Sequence, residues 1–302
     1  MHSFGDLGPN EPLIGVEGSR AALSTPALVL DLDRMERNIA HMAARTRQSG
    51  HGLRPVAKIH KSIEIAKRQV AAGALGVCCA TLAEAEVMAD GGVPGVLLFS
   101  SVVSEPKINR LAALNARAEG LLVAVDDATN VDQLAHAARG AGMQLRMLVD
   151  YEVGGRRTGI VDEDTAIALA KHISATEGAE YAGLQGYYGG LQNTLDYDER
   201  TRLQAVCVAP LARLIERLSA EGLTPAIVTG GGSGTYQIDP VQGVLTENQS
   251  GTYIFMDVNY IDTVFEREMP HPFEVALLVR TTVISASNPD YVVTDAGVKE
   301  FA

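Results

Sequence analysis

The stretch Arg54-Pro-Val-Ala-Lys-Ile-His-Lys61 sets a lysine, Lys58, directly after a short apolar run, where it is placed to point into a cleft. In water a lysine amine is almost wholly protonated. Partial burial frees it to act as a nucleophile and to form a Schiff base with an aldehyde cofactor. Far downstream, Thr229-Gly-Gly-Gly-Ser-Gly-Thr-Tyr236 offers consecutive glycines whose backbone N–H groups can approach a phosphate closely. A third segment, Tyr151-Glu-Val-Gly-Gly-Arg-Arg-Thr-Gly159, carries Arg156 and Arg157, and one of them is expected to point inward to hold a carboxylate or a ring nitrogen. In Gly186-Tyr-Tyr-Gly189, Tyr187 or Tyr188 could flank a bound ring or donate from its hydroxyl. His60, two residues from Lys58 in an extended segment, would lie on the same side.

These groups need a frame that gathers them. From Ala27 onward, short aliphatic runs alternate with longer segments of helical periodicity, the pattern of repeated βα units on a parallel sheet. The reading places a first strand at Ala27 to Leu32 and a helix near Arg34 to Gln48. Eight barrel strands then follow, at Leu53 to Ala57, Gly76 to Cys79, Gly95 to Phe99, Gly120 to Val125, Gln144 to Val149, Gly183 to Tyr187, Ala226 to Thr229 and Gly251 to Met256. Outer helices are expected at Asp164 to Ala175, with a stripe of Ile167, Leu169, Ala170 and Ile173, and at Asp198 to Ala220, with Leu203, Val206, Leu211, Leu214, Ile215 and Leu218. Eight such units predict a (β/α)8 barrel, whose active site lies at the C-terminal ends of its strands; each candidate above follows a strand. After Tyr260 the sequence turns β-rich, so the expected organisation is a barrel over residues 34–265 and a smaller β domain built from residues 1–33 with 266–302.

Bulk properties narrow the function. The chain of 302 residues is 46% hydrophobic, enough for a large core, and carries a net charge of -12, which excludes a phosphate-backbone partner such as DNA or RNA. No apolar run approaches the roughly 20 residues that span a bilayer, and the polar start, Met1 to Glu11, has no signal-peptide pattern, so a cytoplasmic protein is expected. The neighbours Cys78 and Cys79 read, with Cys207, as reduced core residues, since a vicinal disulfide would be strained. The seven histidines form no short-spaced ligand pair, so no metal ligand is assigned; no Gly-x-Ser-x-Gly elbow and no P-loop is present.

Together these segments resemble the pyridoxal-phosphate enzymes of the D-threonine aldolase and D-serine dehydratase family, which share an alanine racemase-like barrel of fold type III. The resemblance runs from Thr25-Pro-Ala-Leu-Val-Leu-Asp-Leu-Asp33 through Arg54 to Ser62, Val149 to Ile160, Gly183 to Asn193, Thr229 to Tyr236 and Thr246 to Asp257, to Thr294-Asp-Ala-Gly297. It implies that Lys58 is the Schiff-base lysine, that Arg157 stands near the pyridine nitrogen and Tyr187 in the cofactor site, and that Gly231, Gly232, Ser233 and Gly234, with Thr229 before them, form the phosphate loop. His60 joins Lys58 and Tyr187 as the candidate catalytic set. A homodimer with active sites near the subunit interface is also implied.

The chemistry expected from the resemblance is cleavage of a β-hydroxy-D-amino acid to glycine and an aldehyde, with a base taking the β-hydroxyl proton and the cofactor accepting the electrons of the broken Cα–Cβ bond. The alternatives are dehydration of D-serine or 3-hydroxyaspartate, racemisation, and non-catalytic binding of the cofactor. The resemblance also implies a divalent metal, Mn or Mg, on the β-hydroxyl. The chain departs from the family at Val56 and Asn193, where histidine is common, and the family's metal ligands fall after the position of Ala302. The β domain is therefore expected to be incomplete and the sequence to be a fragment of a longer protein.

Overall fold

The computed structural model describes residues 8–263 and 272–297. The expected boundary between 265 and 266, and the histidines His2 and His271, lie outside the described residues. The chain divides into two compact units, one from the described residues of 1–35 and 275–302 and the other from those of 36–274.

In the second unit, eight parallel strands form one sheet: β2 (Gly52–Leu53), β3 (Cys78–Cys79), β4 (Leu97–Leu98), β5 (Leu122–Val125), β6 (Leu145–Asp150), β7 (Ala179–Gly186), β8 (Ile227–Gly230) and β9 (Glu247–Asn248). The spatial order runs β2-β9-β8-β7-β6-β5-β4-β3. The two ends meet, because Leu75 N–H donates to Leu53 O, Cys78 N–H donates to Pro55 O, and Val56 bridges Cys78 in parallel. That junction closes the sheet into a (β/α)8 barrel, as the sequence predicts.

Strand alternation builds two cores. Cys78, Leu97, Leu122, Leu148 and Ala182 form, with Val56, a small cluster contributed by successive strands. Their chain neighbours Cys79, Leu98, Val123 and Met147 join the larger cluster that the helices cover, because successive residues of a strand face opposite sides. The helices after the strands are α2 (Ile63–Ala71), α3 (Leu82–Asp90), α4 (Glu105–Asn115), α5 (Ala128–Gly140), α6 (Glu163–Ala175) and α7 (Tyr197–Ala220). Several begin at a side-chain cap: Ser62, Thr81, Asp127, Asp162 and Asp196 each accept from a backbone N–H in the first turn. These caps fix where each strand-to-helix loop ends and so shape the face that carries the candidate residues.

Three expectations are corrected. The eighth strand is Glu247–Asn248; the expected Gly251 to Met256 is a loop with a 3-10 turn at Thr252–Ile254, since the polar Asn248, Gln249 and Ser250 are buried by hydrogen bonds the apolar run lacks. The strand expected through Ala57 stops at Leu53, and Ala57–Ile59 turns as a 3-10 helix that carries Lys58. On α7 the buried stripe passes through Gln204, Cys207, Val208, Leu211, Leu214 and Leu218, leaving Val206 60% exposed.

The first unit holds antiparallel pairs. Strand β1 (Ala27–Leu30) pairs with β10 (Leu277–Arg280), and β11 (Val283–Ser285) with β12 (Val293–Thr294). The helix α1 (Leu32–Ser49) follows β1. No helix of the described residues is long and apolar enough to cross a membrane. All three cysteines are free and buried.

Candidate active site

The loops after the strands enclose a cavity of about 600 Å³. Lys58, Arg157, Tyr187, Gly232 and Ser233 line it, so five residues from four separate segments of the sequence share one space. Lys58 is more exposed than the sequence reading expected, because the 3-10 turn carries it out from the strand end.

Arg157 lies between two aromatic rings, its guanidinium carbon 5.4 Å from the Tyr187 ring centre and 5.8 Å from that of Phe99. Its loop is folded around a carboxylate: Glu152 Oε1 accepts from Gly154 N–H at 2.7 Å and from Arg156 N–H at 2.9 Å. Arg156 adopts φ +49°, a left-handed conformation that a side chain reaches only when its surroundings hold it there. The non-glycine residues with positive φ among those described are Lys61, Arg156 and Met256. Each sits in a loop that follows a strand of the barrel.

The glycine loop is braced from behind. Gly232 N–H donates to Thr235 Oγ1 at 3.0 Å, Gly234 N–H to Gln192 Oε1 at 2.9 Å, and Ser233 Oγ accepts from Tyr253 N–H at 3.1 Å. The Ser233 N–H has no hydrogen-bond partner among the described residues, and Ser233 lines the cavity. Gly231 and Gly234 do not line it. A Cβ on Gly231 would lie 2.1 Å from Asp239 Oδ2, and one on Gly234 would lie 2.1 Å from Gln192 O, so these glycines serve close packing behind the loop. Thr229 is likewise one layer back, its Oγ1 accepting from Nε2 of the cavity residue Gln249 at 3.1 Å.

His60 is placed differently from the expectation. It is not among the residues lining the cavity, because the 3-10 turn replaces the extended geometry that would have put it beside Lys58. Its Nδ1 accepts from Ser62 N–H at 3.0 Å, and burial pushes the imidazole down to about 4 against the opposing influence of Gln69, Ser62 and Glu84. Tyr187 is half-buried, and burial raises its phenol above the usual range while Arg157 works the other way. Its hydroxyl therefore stays protonated at neutral pH.

Comparison with known proteins gives this geometry a context. The sequence profile of the alanine racemase N-terminal domain matches residues 30–258. The chain belongs to that family. It is 38% identical over 291 residues to a D-threonine aldolase of an Arthrobacter species, covering 96% of this chain and 74% of the relative. It is 35% identical over 281 residues to the 3-hydroxy-D-aspartate aldolase of Paracoccus denitrificans, covering 92% and 73%. The crystal structure of D-threonine aldolase from Filomicrobium marinum superposes with a TM-score of 0.87 at 40% identity, covering 92% of this chain and 74% of that one.

The family is one of pyridoxal-phosphate enzymes, and the cavity fits that cofactor. Two lysines, Lys58 and Lys61, line the cavity, Arg157 beside the Tyr187 ring offers donors, and Ser233, whose N–H is unpartnered among the described residues, lines it next to Gly232. For a metal the fit is different: among the described residues no three His, Cys, Asp or Glu side chains gather as a ligand set.

Sequence reading missed part of the cavity wall. Glu84 and Tyr260 line it without belonging to any segment singled out in the sequence, Gln249 and Thr252 lie in the Thr246–Asp257 segment but received no role there, and Glu152, Gln192, Asp239 and Asn248 support it from behind. The one local signal was the polar run Asn248-Gln249-Ser250, which starts on the last residue of β9 and continues past it.

Proposed function

We propose that the chain is a pyridoxal-phosphate-dependent lyase that cleaves a β-hydroxy-D-amino acid to glycine and an aldehyde. The observation that carries the reading is the convergence of Lys58, Arg157, Tyr187 and the Gly232–Ser233 segment on one cavity of about 600 Å³, in a chain whose relatives are aldolases of this kind. When bound, the cofactor supplies an electron sink for the bond broken at the substrate's α-carbon.

The chain's own residues divide the remaining work. Lys58 Nζ would hold the cofactor's aldehyde carbon; the second lysine of the cavity lining, Lys61, follows it three residues on. Ser233 N–H, with the loop around Gly232, would receive the phosphate, and Thr229 Oγ1 holds the cavity residue Gln249. Arg157, in contact with the rings of Phe99 and Tyr187, would offer its donors to the cofactor. Tyr187, which lines the cavity, keeps its phenol proton at neutral pH and would be the group to hold or move a proton there. His60, bonded to Ser62 N–H and outside the cavity lining, holds the turn of Lys58 and carries no proton of the reaction.

The homodimeric state and cytoplasmic location implied by the family belong to the same proposal, as does a divalent cation, Mn or Mg, on the β-hydroxyl. No step of the scheme above runs through that cation. The test is an absorbance spectrum of the purified chain with pyridoxal phosphate, for wild type and Lys58→Ala, followed by D-threonine or D-3-hydroxyaspartate with Mn or Mg. A lysine-dependent band with glycine and aldehyde supports the lyase. Ammonia with an oxo acid would instead mean dehydration, the L-enantiomer racemisation, and no lysine-dependent band would overturn the cofactor assignment.

A further inference from the structure

Asp239 opens the short helix α8 (Asp239–Gln242) and is buried to 1% exposure against the glycine loop, yet the chemistry above gives it no part. Three neutral side chains meet its carboxylate. Gln204 Nε2 donates to Oδ1 at 2.6 Å from α7, Thr235 Oγ1 to Oδ2 at 2.9 Å from the loop, and Asn248 Nδ2 to Oδ2 at 2.7 Å from β9. No cation pairs with it among the described residues. Gly231 fits against it at φ +62°, and a Cβ there would collide with Oδ2 at 2.1 Å.

Two of the three donors pass the contact on to Gly232. The single hydroxyl proton of Thr235 goes to Asp239, which turns a lone pair of Oγ1 toward Gly232 N–H at 3.0 Å. Gly232 O accepts from Thr235 N–H at 3.0 Å and lies 3.4 Å from Asn248 Nδ2. The peptide between Gly232 and Ser233 is planar and trans, so its N–H points opposite to its C=O. Turning Gly232 O toward Thr235 and Asn248 therefore turns the unpartnered Ser233 N–H the other way, and Ser233 lines the cavity.

We propose that Asp239 is a positioning residue for the cofactor's phosphate, acting through Thr235 and Asn248 to fix both peptide groups of Gly232 and so the direction of the Ser233 N–H. The inference rests on the phosphate reading of the loop. It has a second consequence. Burial pushes the Asp239 carboxyl up to about 7, opposed by Thr235, Asn248 and Gln204, and no charged neighbour contributes. Above that pH an anion behind the loop repels a phosphate dianion in front of it, so cofactor affinity falls as Asp239 ionises.

The test separates the clamp from the cofactor. Amide hydrogen exchange at Gly232 in cofactor-free protein reads the clamp alone, and Thr235→Val is expected to speed it about tenfold, the loss of one hydrogen bond. Cofactor titration by absorbance is expected to show an affinity about tenfold weaker for Thr235→Val. Asp239→Asn keeps the shape, with Gln204 turning its amide to offer Oε1, and is expected to bind as wild type does below pH 6 and more tightly than wild type above pH 8. Exchange or affinity unchanged in Thr235→Val overturns the positioning role, and an Asp239→Asn profile that follows wild type overturns the charge effect. A wild type with no lysine-dependent band refutes the cofactor reading on which the affinity arm rests, while the exchange arm still decides the clamp.

Discussion

The Arg157 guanidinium carbon stands 5.4 Å from the centre of the Tyr187 ring. Both residues line the cavity, so the same aromatic side chain that holds the arginine also presents a hydroxyl to the site. The two roles separate by substitution. Tyr187→Phe keeps the ring and loses the hydroxyl, and it is expected to leave cofactor affinity within twofold while lowering turnover by about a hundredfold, the usual contribution of a general acid or base. Tyr187→Leu also removes the cation–π contact, about 0.5–1 kcal/mol at an exposed site, and should weaken cofactor binding a few-fold further. Equal affinities for the two variants would separate Arg157 from the ring.

Glu152 is expected to govern the same arginine from outside the cavity. Its Oε1 accepts from Gly154 and Arg156 N–H, and the left-handed backbone of Arg156 precedes Arg157 directly. Glu152→Ala leaves two N–H groups to water and frees the loop; cofactor affinity should fall about fivefold, the equivalent of roughly 1 kcal/mol. Glu152→Gln retains an acceptor oxygen and should recover most of it. Absorbance titration distinguishes the pair, and an alanine variant that binds normally would show that the loop needs no such anchor.

Much of this was legible in the sequence, for a physical reason. The barrel's strands and helices declare themselves through local periodicity, and Lys58, Arg157, Tyr187 and the glycine loop each sit in a recognisable run after a strand. What stayed hidden is set by closure. Glu247–Asn248 lacks the apolar alternation of a strand because its side chains bond to neighbouring elements, Glu247 to Arg54 just past the end of β2 and Asn248 to Asp239 in α8. His60 was misplaced because two-residue spacing puts side chains together only in extended chain, and Ala57–Ile59 is a 3-10 turn. Asp239 has no motif at all; its partners Gln204, Thr235 and Asn248 come from three different elements.

Arg54 belongs to the basic stretch around Lys58 but does the opposite of what a solvated rim residue would. It is buried at 5% exposure, with Nε 2.8 Å and Nη2 3.0 Å from the Glu247 carboxylate, and its Nη1 donates to the carbonyl oxygens of Leu75 and Gly95. The pair therefore ties β2 and β9 to the segments that lead into β3 and β4, across the junction that closes the barrel. Removing one member strands a buried charge, so Glu247→Leu should cost about 3–5 kcal/mol in chemical denaturation. The double variant Arg54→Met with Glu247→Leu should recover part of that loss. A single variant as stable as wild type would mean that the guanidinium finds other acceptors.

Acid should expose His60 in a specific way. Its imidazole titrates at about 4 in the folded chain because burial disfavours the charged ring, against an ordinary value of 6.5. As pH falls from 6.5 toward 4, the unfolded chain takes up a proton that the folded chain refuses, so stability drops across that window and is fully present above it. The full drop is on the order of 3 kcal/mol. His60→Asn cannot take that proton in either state. Whatever it loses at pH 7 with the Ser62 N–H bond, its denaturation midpoint should converge on that of wild type between pH 6.5 and 4. A constant gap over that range would place the imidazole in water, free to exchange protons with it.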